Sequence, residues 1–161
     1  MKPDLEILPA QIEDVPTILS FIRKLAEYEK LSHEVVADEA SLRHWLFGPQ
    51  PKAEVMIAYT GGAPAGFALF FHNFSTFLCR PGIYLEDLFV EPEHRGKGIG
   101  KALLIHLAKL AVERGCGRLN WAVLDWNQPA IDFYQALGAV PLDAWTVYRL
   151  SGEALNRVSN L

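Results

Sequence analysis

The chain has 161 residues, of which 50% are hydrophobic and 21% charged: enough apolar material for one core, and far from the compositions that stay unfolded. A net charge of −4 excludes a nonspecific nucleic-acid binder. The longest apolar run, residues 63–71, is broken at Pro64 and falls short of the roughly 18 residues that a membrane span needs, and residues 1–10 lack the apolar stretch of a secretory leader, so a cytoplasmic protein with no membrane contact is expected.

Residues 5–8 read as a short strand, and Asp14 before Pro16 as the cap and first turn of a helix running to about Lys30, with Ile18, Leu19, Ile22, Leu25 and Ala26 on its buried stripe. A second helix over 38–47 is expected to turn Leu42, Trp45 and Leu46 inward and to stop at Gly48-Pro49. Two apolar runs, 53–59 and 65–74, flank Thr60-Gly61-Gly62-Ala63-Pro64 as a hairpin. There follow a strand at 83–90, a helix at 98–114, a strand at 119–124, a helix at 129–137 closed by a left-handed Gly138, and a last strand at 144–150. The chain has no repeats or linkers, which predicts a single α/β domain over 1–161 with a mixed sheet.

Charge is unevenly distributed. Between Glu6 and Glu39 eight acidic residues face three basic ones, whereas from His94 to Arg118 six basic residues face only Glu113. Both stretches are compatible with ordinary solvated helix faces; they also suit a cationic ligand at one place and an anionic one at another. Cys79 and Cys116 have no metal-ligand spacing and read as reduced, small core residues, and the five histidines have no paired spacing, so no metal site is expected.

The stretch Tyr84-Leu85-Glu86-Asp87-Leu88-Phe89-Val90 feeds Glu91-Pro92-Glu93-His94 and then Arg95-Gly96-Lys97-Gly98-Ile99-Gly100-Lys101. A glycine turn that opens a helix presents free N–H groups and the positive end of the helix dipole, which together make an anion site. Lys101 is followed by Ala102, so the turn is not a Walker loop, and the glycines at 96, 98 and 100 miss the dinucleotide spacing.

The pattern Arg-x-x-Gly-x-Gly resembles the pyrophosphate-binding loop of the GNAT superfamily of acyl-CoA-dependent N-acyltransferases. The later run Asn127-x-x-Ala130-x-x-Phe133-Tyr134-x-x-x-Gly138-Ala139 is similar to that family's second signature. Taken alone, Ile131, Phe133 and Tyr134 read as a packing stripe; beside the glycine turn they read as part of an active site. The likeness covers nearly the whole chain and is closest to the diamine acetyltransferase branch, in Leu25-Ala26-Glu27-Tyr28-Glu29, in 84–90, in Trp126-Asn127-Gln128-Pro129 and in Trp145.

The resemblance implies a GNAT-like fold of α/β class, a mixed sheet flanked by about four helices, with acetyl-CoA as cosubstrate. Leu88, Phe89 and Val90 would hold the pantetheine arm by backbone pairing, Arg95, Gly96, Lys97, Gly98, Ile99, Gly100 and Lys101 the pyrophosphate, and Asn127 would help hold the cofactor. Tyr134 would protonate the departing thiolate, and Glu86 would take a proton from the amine, directly or through water; Glu86 or Asp87 could equally end a strand or pair with a lysine. Tyr28, Glu29, Glu86, Asn120, Trp121, Ala122 and Asp143 would line the acceptor site, and the branch implies a homodimer. The chain departs from the branch in having Thr76 where polyamine acetylators carry an acid, with no carboxylate between Val55 and Leu85, and Asp143 where they carry a glutamate. The expected reaction is therefore acetyl transfer to a small cationic amine by direct attack in a ternary complex. A noncatalytic acyl-CoA-binding domain and acetylation of a peptide or protein amine are the alternatives.

Overall fold

In a computed structural model, which describes residues 4–161, β1 (Leu5–Pro9), β2 (Glu54–Thr60), β3 (Ala63–Ser75), β4 (Arg80–Val90) and β5 (Leu119–Trp121) form one sheet in the order β1-β2-β3-β4-β5. Pairing is antiparallel from β1 to β4 and parallel between β4 and β5, which gives the expected mixed sheet. The chain divides into two units, one through Ala122 that holds the sheet with α1 (Val15–Tyr28), α2 (Glu39–Phe47) and α3 (Ile99–Glu113), and one over Val123–Leu161 that holds α4 (Gln128–Ala136) and α5 (Gly152–Ser159).

Four consecutive residues of β2, Val55 to Ala58, are buried, and since successive side chains point to opposite faces, both faces of the sheet are covered. Ile18 and Phe21 of α1 pack with Val55, Ile57, Phe67 and Phe89, the Phe21 ring stacking on Phe67 at 5.3 Å and tilting on Phe89 at 5.8 Å. In α3, Ile99, Leu103, Leu104, Leu107 and Ala111 are buried. The hairpin turn is tighter than expected. Ala63 pairs with Thr60 and Pro64 with Tyr59, leaving a two-residue loop whose glycines sit at φ +56 and +78, the left-handed conformations that such a turn demands.

Several expectations fail for identifiable reasons. Asp14 does not cap α1 with its side chain, because its carboxylate accepts from the Gln11 N–H at 2.7 Å and from the Tyr59 hydroxyl at 3.3 Å. Trp45 is 51% exposed and meets the His44 ring edge-on; only Leu42 and Leu46 of the expected trio pack against the core. Cys79 is exposed in a left-handed turn at φ +51 rather than a core residue, and Cys116 is half-buried. β5 stops at Trp121 instead of 124. The segment 144–150 forms no strand: it has the β-branched and aromatic composition of one, but its backbone joins no ladder, and Trp145, Val147 and Tyr148 are almost fully exposed. The polar, amphipathic α5 is an addition.

Candidate active site

The β3–β4 register places Leu69 opposite Asp87 and Phe70 opposite Leu85, so Glu86 is the extra residue of a β-bulge. Its partner strand on the other side ends at the same level, with Trp121 opposite Leu85 and Asn120 opposite Tyr84. Beyond Leu85, β4 continues to Val90 and, among the described residues, pairs with β3 alone. The Glu91 N–H bonds to the Ala65 carbonyl of β3, and in a trans peptide the Val90 carbonyl then points the opposite way, away from β3.

At the bulge, carboxylates gather. Glu86 is exposed, whereas Asp87 is half-buried, and burial, then Glu86, then Glu29 push its carboxyl up from 3.8 to about 6. Glu29, at the C-terminal end of α1, is itself raised by burial. The Tyr84 hydroxyl is raised by burial and by the Glu86 charge. Glu29 and Glu86 thus share one electrostatic neighbourhood, and Asp87, which the sequence offers only as a strand end or a lysine's partner, is its most perturbed member. The bulge that sets this arrangement leaves no mark in the alternation of the sequence.

Arg95 to Gly98 link the 3-10 turn that follows β4 to α3, whose first residues are Ile99, Gly100 and Lys101. Gly98, at φ +83, is the residue before α3 and offers no side-chain cap, so the N–H groups of Ile99, Gly100 and Lys101 have no intrahelical acceptor, the first closure being Ala102 N–H to Gly98 O at 2.9 Å. A Cβ at Gly96 or Gly98 would meet nothing within 4 Å, and one at Gly100 only Val90 Cγ2 at 3.8 Å. The turn therefore combines N–H groups that lack an intrahelical acceptor with glycines that leave room beside them. Arg95 donates from Nε to the Val90 carbonyl at 2.9 Å, and its guanidinium lies 5.0 Å from the Tyr28 ring centre and 5.5 Å from that of Phe89. Glu91, buried, is salt-bridged to Lys24 of α1. His94, in the intervening 3-10 turn, has Nδ1 buried with no hydrogen-bond partner.

In the second unit the signature run is a self-contained helix. Asn127 Oδ1 accepts from Ala130 N–H at 3.4 Å and caps α4, while Gly138 at φ +88 closes it, its N–H bonding to Gln135 O and that of Ala139 to Tyr134 O. This double closure fixes the last turn, which carries Phe133 and Tyr134 with rings 5.4 Å apart. Asp143 lies in the exposed segment after the helix. Ala122 ends the first unit, just past β5. Among the described residues no group of three or more His, Cys, Asp or Glu is placed to hold a metal, and no helix is long and apolar enough to cross a membrane.

Residues 19–139 match the family model "Acetyltransferase (GNAT) family". The chain belongs to the GNAT acetyltransferase family. It is 41% identical to a thialysine N-epsilon-acetyltransferase of Bos taurus, over 95% of this chain and 96% of the relative, and 33% identical to an L-ornithine N5-acetyltransferase of Arabidopsis thaliana, over 92% and 85%. Among solved structures, an integron cassette protein from the mobile metagenome of V. cholerae superposes with a TM-score of 0.82 at 29% identity, covering 98% of this chain and 99% of that one. The likeness to the diamine branch is upheld by these relatives, and the chain is an N-acetyltransferase with the GNAT α/β fold.

Proposed function

We propose that this GNAT enzyme moves an acetyl group from acetyl-CoA to the primary amine of a small cationic acceptor, by direct attack with both substrates bound. One observation carries the donor side of the reading: the glycine turn that opens α3, whose first three N–H groups lack an intrahelical acceptor, follows one 3-10 turn after a strand that, among the described residues, pairs on the β3 side alone beyond Leu85. A helix start of this kind suits a pyrophosphate, and an open strand edge suits an amide-bearing arm.

When bound, acetyl-CoA supplies the acetyl thioester. Backbone groups of Leu88 to Val90 hold its arm; Gly96 to Lys101 hold its phosphates, with Lys97 and Lys101 adding positive charge. Glu86 accepts the proton that an ammonium, with a pKa near ~10.4, must lose before it can attack. Tyr134 donates its phenol proton to the departing thiolate. Glu29, Glu86 and Asp87 attract a cationic amine; Tyr28, Asn120, Trp121 and Ala122 belong to the same acceptor site. The names of the bovine and Arabidopsis relatives point to acceptors of the size of thialysine or ornithine.

A homodimer fits the exposed apolar side chains of the 142–150 segment, which ask for a covering surface, and two-fold pairing is the commonest arrangement. Light scattering at micromolar concentration should give twice the 18.0 kDa chain mass; a monomer mass would remove this part. A donor such as acetyl-CoA and unpaired cysteines suit a cytoplasmic enzyme. The reading as a whole is tested by calorimetric titration with CoA: micromolar or tighter binding is expected, and no binding would refute it.

A further inference from the structure

Two ties connect α1 to the segment that links β4 with α3. Lys24 reaches buried Glu91, and four residues further along the same helix face Tyr28 lies under the Arg95 guanidinium. Glu91 and Arg95 are likewise four apart, at the two ends of the 3-10 turn Pro92–His94. The two ties therefore run side by side, from one face of a helix to both ends of one turn. Tyr28 precedes Glu29, whose carboxylate acts on Asp87 at the bulge. Arg95 precedes Gly96 and holds the Val90 carbonyl on the open edge of β4. One cation–ring contact thus joins the helix end that serves the acceptor to the strand end and turn that serve the donor.

We propose that Tyr28 and Arg95 are positioning residues that couple the donor and acceptor sites, so that occupation of one site raises the affinity of the other. This rests on the acetyltransferase reading above. A guanidinium that keeps Tyr28, Phe89 and the Val90 carbonyl as partners has one place for its charge and stem, and a ligand on the glycine turn that fixes Arg95 fixes the end of α1 with it. Ordering that segment once serves both ligands, and such coupling is reciprocal. Lys24 and Glu91 keep the same two elements at one separation, so the contact transmits displacement rather than absorbing it.

The test uses CoA, which lacks the acetyl group and so forms a stable complex with an amine. Its Kd is measured by calorimetry on the full chain with and without saturating ornithine. In the wild type, ornithine should tighten CoA binding by about fivefold or more, the lower end of ordinary coupling. Tyr28→Leu and Arg95→Gln should each bring that ratio close to one, and the double variant should lose no more than either alone. Tyr28→Phe, which keeps the ring, should retain the ratio. If Tyr28→Leu, folded by circular dichroism, keeps the full ratio, or if the wild-type ratio is already one while CoA binds, the coupling is overturned and the acetyltransferase reading stands. A wild type that binds no CoA sinks both.

Discussion

Glu29, at the C-terminal end of α1, lies within electrostatic reach of Asp87 on β4. Burial first, then Glu86 and then Glu29 raise the Asp87 carboxyl to about 6, so the folded protein holds that proton more tightly than the unfolded chain, where the value is 3.8. The favourable contribution is therefore complete below 3.8 and is lost as pH rises to about 6. Asp87→Asn, neutral at every pH, should gain in Tm over the wild type as pH rises from 4 to 7.5. Paired melts at those two values decide it, and a constant difference would contradict the assignment. The KM for a cationic amine should rise as the pH falls below about 6, where Asp87 loses its charge.

Gly100 stands in the first turn of α3 with ordinary helical backbone and room for a methyl group. Alanine there should stabilise the helix by up to about 1 kcal/mol, yet its methyl would stand between the backbone donors and a phosphate. Gly100→Ala should accordingly melt no lower than the wild type while binding acetyl-CoA at least about tenfold more weakly, roughly one lost hydrogen bond to a charged group. Unchanged affinity in calorimetry would take the phosphate away from this turn.

Tyr134→Phe removes a proton donor and little volume. Fold and cofactor affinity should persist while kcat falls by about 10² or more, the scale of a lost general acid. A rate equal to the wild type's would mean that the thiolate leaves without this hydroxyl.

The helices of the first unit are legible because their apolar positions recur at a period near 3.6, its central strands because they stand as short apolar runs bounded by turn residues, and the glycine turn because its donors can be read from residue type alone. The Asn127-to-Gly138 signature was legible for a similar reason, since a cap and a left-handed closure are both written in single residues. What escaped depends on contacts distant in sequence. The bulge at Glu86 is a fact of pairing with Leu69 and Phe70, and no local pattern announces it. Asp14 has the residue type of a cap, but its carboxylate is taken by the nearby Gln11 N–H and by the hydroxyl of Tyr59, distant in sequence on β2. The segment 144–150 has strand composition and no ladder, and composition cannot say whether a neighbouring edge exists. Arg95 was read as a phosphate contact from its motif; its place over Tyr28 follows from where α1 ends.

Glu29 and Glu86 should separate in steady-state kinetics. On the proposed roles, Glu29→Gln removes only attraction for the amine, in ground and transition states alike, and should mainly raise KM, whereas Glu86→Gln removes the proposed proton acceptor and should lower kcat by about 10² or more. Equal effects on both parameters from the two variants would mean that the carboxylates share one role.

The most direct measurement is thiol release from acetyl-CoA with a panel of amines: thialysine, ornithine, spermidine, spermine, and a neutral and an anionic amine as controls. The chain has no carboxylate between Val55 and Leu85 to meet a distant second ammonium, so short cationic amines of the thialysine or ornithine type should give the highest kcat/KM, above spermine, with a rate that rises with pH as the amine or its base deprotonates. Spermine as the best substrate would contradict the acceptor assignment, and thiol release no faster with any amine than without one would contradict the claim that this protein is an acetyl-CoA:amine acetyltransferase.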